Sequence, residues 1–169
     1  MEFKLKPISK SSIPEAISKV DLYRALNEPE EAESICRDIL ATDPENQLAL
    51  RLLGLCLTDQ FTGSGTDRYA EAEKIFDSLS DPYERLYYSG LLYERRAKAQ
   101  LRAGHLPHTL LPLFEKAMHH FEEAEKIRPP DNDDALLRWN RCVRLLQSRL
   151  GSEWIREIEA FEAHDTPPT

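Results

Sequence analysis

The stretch 117–129, AMHHFEEAEKIRP, places Ala117, Phe121, Ala124 and Pro129 at steps of four, three and five residues. Steps of four and three keep the first three on one stripe of a helix, and the proline, which has no amide hydrogen to donate, ends it. The same figure occurs twice upstream, as Ala32, Cys36, Ile39, Pro44 and as Ala72, Phe76, Leu79 with an early Pro82. The copies start 40 and 45 residues apart. Recurrence at that period marks a helical repeat array, in which each unit hides its apolar stripe against the next.

The flanking sequence supplies the partner helices. Ser12 reads as an N-cap with Pro14 and Glu15 in the first turn, and the helix runs to about residue 26 with Ala16, Val20 and Tyr23 on one face. Asn27 is expected to cap a second helix to residue 42, and the turn at residues 43–46 leads into a third, residues 47–61. There Leu50, Leu53, Gly54 and Leu57 form one stripe and Leu48, Leu52 and Leu55 another, which places this helix centrally. The Gly-rich run at residues 62–67 lacks the Gly-Lys-Ser/Thr ending of a phosphate-binding loop and reads as a linker, with Asp67 as N-cap of a helix to residue 79.

Asp81 and Pro82 start a long helix that ends at Gly104, and a sixth helix runs from about Pro107 to Ile127. These two are expected to extend as a protruding hairpin. Leu136, Trp139, Val143, Leu146 and Leu150 hold one apolar seam. Gly151 and Ser152 then stop that helix and cap an eighth, striped by Trp154, Ile158 and Phe161. The expected organisation is a loose, flexible lead-in over residues 1–11, one helical domain over 12–164 and a disordered tail over 165–169.

Composition narrows the function. A hydrophobic share of 41% suffices for a core, and eleven prolines against six glycines suit helices started by proline. The net charge of −8 argues against a general nucleic-acid binder, since phosphate contact needs clustered Lys and Arg. Residues 1–10 lack the apolar centre of a signal peptide and no run of about 18 apolar residues exists, so no membrane span is expected. Cys36, Cys56 and Cys142 are scattered, and the first two sit at apolar helix positions, which reads as buried free thiols in a reducing compartment. A cytoplasmic location follows by default.

With these motifs in place, the chain resembles the tetratricopeptide repeat family over about residues 13–150. The second-helix motif falls on the three figures above. The first-helix Leu-Gly-x2-Tyr motif falls on Leu53, Gly54, Leu57 and on Ser89, Gly90, Tyr93, with Val20 and Tyr23 a weaker match. No Trp opens any repeat and two repeats carry insertions. The resemblance implies an all-α fold: a right-handed superhelical array of antiparallel helix pairs, about three repeats plus C-terminal capping helices, whose first helices line a concave face.

By their place on the first helices, Arg51, Leu55, Tyr87, Tyr88, Leu91, Arg95, Arg138 and Arg141 are candidates for that face. Arg and Tyr are favoured at binding hot spots, and a groove of this kind suits an amphipathic helix or extended peptide of another protein. The family's clamp for a C-terminal carboxylate uses Lys and Asn that are missing from the matching places, so any acidic peptide falls to the arginines. His105, His108, His119, His120 and His164 lack the spacing and companion ligands of a metal site. The acidic runs at residues 28–31 and 131–134 sit where helices begin, so the macrodipole accounts for them. Neither a cofactor nor a catalytic centre is expected. The reading is a protein-binding adaptor or scaffold. The alternative is a structural module that self-associates through an apolar helix surface or the long hairpin.

Overall fold

The computed structural model describes residues 3–164, the side chains of residues 153–155 and 157–164 excepted. Within them the chain is all-α: α1 (Ile13–Ala25), α2 (Pro29–Thr42), α3 (Gln47–Asp59), α4 (Tyr69–Asp77), α5 (Pro82–Arg102), α6 (Leu111–Lys126) and α7 (Asp134–His164), with no strand among the described residues. Proline stands in the first turn of α1, α2, α5 and α6, where its missing amide hydrogen costs no hydrogen bond. Asp81 caps α5 by accepting from the Glu84 amide at 3.0 Å, and Asn46 caps α3 by accepting from the Ala49 amide at 2.9 Å. Gly104 closes α5 at φ 95°.

Four local expectations are corrected. Asn27 is no cap: it takes the left-handed conformation at φ 60°, and the cap position falls on Glu28. Ser12 takes the N-cap position of α1 as expected, but its hydroxyl does not cap the helix and instead turns back to donate to the Ser9 carbonyl at 2.8 Å. Asp67 does not cap α4 either. Its carboxylate closes the Gly-rich loop, accepting from the amides of Thr62 (3.1 Å) and Gly63 (2.8 Å) and from the Thr62 hydroxyl (2.9 Å). Burial works against ionisation there, yet these donors outweigh it and hold the Asp67 carboxyl below its ordinary range.

The fourth correction concerns Gly151, which stops nothing: α7 continues through it to residue 164, and the Ser152 hydroxyl donates to the Ser148 carbonyl at 2.7 Å as an interior residue would. One glycine costs a helix only about 1 kcal/mol relative to alanine. That is small against the packing of Leu145 and Leu146 on the preceding helices. The single long α7 replaces the two expected capping helices. The stripe Trp154, Ile158, Phe161 lies outside the described side chains, and the tail 165–169 outside the described residues.

Each helix packs on its successor, and in addition α1 touches α3, α3 touches α5 and α5 touches α7. No comparable approach of backbones joins α2, α4 and α6 among the described residues. The odd-numbered helices therefore form one continuous layer backed by the even-numbered ones. As expected, α3 is central, touching α1, α2, α4 and α5. Two cores result. One gathers α1 to α4 with Leu91, Leu92 and Ala99 of α5; the other gathers Tyr83 and Ala97 of α5 with α6 and α7. The longer α5–α6 connection does not stand free, because the turn at Pro107–Leu110 packs on α5 and α7 and buries Leu110.

The closest approach between paired helices repeats. A Cβ added at Gly54 would lie 2.3 Å from the Phe76 ring, and one at Gly90 would lie 2.7 Å from the Phe121 ring. In the first pair the matching positions are Val20 and Cys36, both fully buried. A larger residue on the first helix thus goes with a smaller one on the second, as close packing requires. Beside these cores, Glu33 of α2 accepts from Arg37 (2.9 Å) and Gln60 (2.7 Å) and pairs with Arg68 (2.6 Å), while Glu71 of α4 binds Arg37 and Arg68. This clasp ties α2 to α4. Burial opposes ionisation of Glu33 and Glu71, but the guanidinium partners prevail and hold both carboxyls below the ordinary 4.5.

Overpacking costs about 1–3 kcal/mol, against a propensity gain for alanine of up to ~1 kcal/mol. Gly54→Ala should therefore lower the urea-unfolding midpoint. The pair Gly54→Val/Phe76→Cys, which writes the first repeat's combination into the second, should show a favourable coupling of about 1 kcal/mol or more in a double-mutant cycle. For the clasp, a depressed folded pKa means stability that is present above pH 4.5 and lost as pH falls through the folded values. Acid unfolding curves should be shallower below that pH in Glu33→Gln, and the variant should lose about 1 kcal/mol at neutral pH.

Candidate functional site

On the odd-helix layer, α5 carries two different surfaces. Its first half is aromatic. Tyr83 stacks on Tyr87 (centroids 5.9 Å apart), Tyr87 meets Tyr88 edge-on (5.0 Å) and contacts Phe121 (6.0 Å), and Tyr88 stacks on Phe76 (5.4 Å). Arg51 of α3 lies 6.0 Å from the Tyr88 ring and pairs with Glu84 at 2.6 Å. Burial pushes the Tyr83 hydroxyl up to about 12 and raises Tyr88 as well. These rings pack the two cores together, with Tyr83 buried and Tyr87 and Tyr88 partly exposed.

Its second half is charged. A recess of about 250 Å³ lies between α3, α5 and α7, lined by Thr58, Asp59, Arg95, Lys98, Arg102 and Arg138. Arg95 donates to the Thr58 hydroxyl at 2.8 Å and pairs with Asp59, whose other oxygen accepts from Arg24 of α1 at 2.7 Å. Glu94 lies beneath, wholly buried, with Lys98 on one oxygen and Arg138 at 3.5 Å from the other. That second oxygen accepts no hydrogen bond among the described residues. Burial works to lower the Arg138 pKa, but the Glu94 charge and a hydrogen bond with Tyr87 more than offset it. Arg102 is exposed and has no partner among the described residues.

Of the candidates named from sequence, Arg95 and Arg138 come together at the recess, and Arg51, Tyr87 and Tyr88 gather at the aromatic half. Arg141 is exposed on α7. Leu55 and Leu91 are corrected: at 9% and 2% exposure they belong to the first core, because α3 and α5 are packed on more than one side. Sequence reading passed over Lys98 and Arg102, although Arg95, Lys98 and Arg102 stand at steps of three and four on one helix face. Glu94 gave no such signal, since a glutamate in a helix is ordinarily solvated.

The recess is lined mostly by cations, and its one hydroxyl is engaged: Thr58 donates to the Leu55 carbonyl at 2.9 Å and accepts from Arg95. Elsewhere, all three cysteines are buried and free; the Cys56 contact and burial raise the Cys36 thiol, and burial pushes the Cys142 thiol up to about 12. No group of three or more His, Cys, Asp or Glu side chains converges as metal ligands among the described residues. Comparison with family models, curated proteins and solved structures returned no match to this chain.

Removing one partner of a buried charge pair typically costs about 3–5 kcal/mol. Lys98 and Arg138 remain partly solvated, which lowers that figure. Glu94→Ala should lose about 2–3 kcal/mol by urea unfolding. Glu94→Gln keeps the shape and should lose about half as much. Equal stability of Glu94→Ala and wild type would show that the carboxylate contributes nothing net.

Proposed function

We propose that the protein is a tetratricopeptide-like adaptor that binds a peptide or helix of another protein on its odd-helix layer. In this reading the layer curves into the concave face of a right-handed superhelix. The supporting observation is the repeated seating of a second-helix aromatic ring against a first-helix glycine, at Gly54–Phe76 and Gly90–Phe121. Repetition of one approach tilts successive pairs alike and sets their first helices side by side. That layer carries partly exposed Arg and Tyr, the residue types that anchor partners. Three buried free thiols suit a reducing compartment, and the cytoplasm is where we place it. No helix among the described residues is long and apolar enough to cross a membrane.

A second reading rests on Leu22 of α1 and Leu26 just past its end, 52% and 56% exposed. An unpaired apolar strip at the end of the array suits self-association. Light scattering across a concentration series separates the two, since a concentration-independent monomer removes the self-associating role.

For the adaptor, amide-resolved NMR titration with a panel of amphipathic and extended peptides should move resonances on α1, α3, α5 and α7. Arg141→Ala, at an exposed position, should weaken the binding peptide by about fivefold. Shifts confined to α2, α4 and α6, or no shift with any peptide, would sink the proposal.

A further inference from the structure

The adaptor reading leaves the partner's chemistry open, and the charged half of α5 narrows it. We infer that the recess between α3, α5 and α7 is an anchor for a carboxylate side chain of an acidic partner segment, gripped chiefly by Arg102 and Arg138. This inference rests on the adaptor reading and adds the chemistry of what is bound.

Charge is the first ground. Four cations line the recess against one carboxylate, Asp59, and that carboxylate is already shared between Arg24 and Arg95. Counting Glu94 beneath, two anions face Arg24, Arg95, Lys98, Arg102 and Arg138. The spot is positive although the chain as a whole carries −8. Clustered cations repel one another, and Arg102 meets no anion among the described residues.

Hydrogen bonding is the second. The wholly buried Glu94 has an oxygen without a hydrogen bond, and the nearest cation, Arg138 at 3.5 Å, compensates its charge without donating to it. A guanidinium carries five N–H donors in a fixed fork. Arg138 bonds Tyr87 and faces Glu94, which leaves part of its fork for a guest, and Arg102 has no partner among the described residues. A planar carboxylate accepts two parallel hydrogen bonds from one such fork.

Size and global charge choose the occupant. A recess of about 250 Å³ takes one or two side chains. A nucleic acid would bring a long run of phosphates against a chain whose net charge is −8, which repels it outside this spot. A peptide presenting one or two carboxylates meets only the local field.

The test uses the full chain and a short fluorescein-labelled peptide of alternating Glu and Ala. A Gln-for-Glu version, a neutral Leu-bearing amphipathic peptide and a single-stranded oligonucleotide serve as comparisons. Anisotropy and NMR should show the Glu peptide binding at low salt, weakening as salt rises, and moving Thr58, Arg95, Lys98, Arg102 and Arg138. Arg102→Glu should weaken it at least about tenfold, with an unfolding midpoint only slightly lowered, because Arg102 has no side-chain bond among the described residues and gives up only its favourable place at the C-terminal end of α5. Arg102→Lys should restore part of the affinity. Equal binding of the Glu and Gln peptides, or an affinity unmoved in Arg102→Glu, overturns the inference. So does tighter, Arg102-dependent binding of the oligonucleotide. If only the neutral peptide binds the odd helices, the acidic anchor fails while the adaptor reading stands. If no peptide binds, both fail.

Discussion

Two aromatic rings, Phe76 and Phe121, lie where a side chain on the opposing helix would have to be. That steric exclusion sets how near α3 can come to α4, and α5 to α6. Because the ring fills the space of the missing Cβ, these two helix pairs approach through the same motif position. The first pair reaches the same end by other means, with Val20 on one side and Cys36 on the other. What is preserved from pair to pair is the summed volume at the crossing rather than any residue type, as expected of an interior packed to crystal-like density.

The second consequence is the position of α5. Neither core is complete without it, since Leu91, Leu92 and Ala99 close one while Tyr83 and Ala97 open into the other. An added stretch in the α5–α6 pair would otherwise stand in water as an unpaired hairpin. Instead Leu110 and Phe114 are buried, and α7 runs on alongside. The charged recess begins about one turn beyond Gly90 and runs along the second half of α5, where long, partly solvated side chains take over from the glycine-and-ring contact.

Much of the fold was legible because it rests on periodicity and punctuation, which are local. The prolines at helix starts, the stripe around Phe76 and the Asp81 cap are all read from residues within a turn of one another. What escaped depended on distant partners. Asn27 and Asp67 are good capping residues by type, yet one was needed for a left-handed turn and the other to close a loop. Gly151 reads as a stop, but one unfavourable residue does not break a helix held by its neighbours. Leu55 and Leu91 lie on first helices, as a surface residue there would, and only the packing of α3 and α5 on several sides puts them inside. At the recess, Arg95 and Arg138 were visible as cations on first helices, whereas Glu94 was not. A buried carboxylate is tolerated only through Lys98 and Arg138, and Arg138 comes from 44 residues further along.

Glu94 also bears on why the recess is positive at all. A fully buried carboxylate must be compensated, and Lys98 on its own helix supplies one charge at close range. A second cation from α7 exceeds what neutralisation requires. Nor does it bring the hydrogen bond that the free oxygen lacks. If stability alone shaped this spot, an apolar pair would serve as well or better, since replacing buried ion pairs by packed hydrophobic groups is often neutral or stabilising. Arg102 has a helix-end role, since a cation in the last turn of α5 meets the negative end of the helix, whereas Arg138 adds charge beyond what Lys98 supplies to Glu94. If a partner carboxylate binds here as proposed, it would meet Arg138 already held near Glu94, so less ordering would be needed on its arrival.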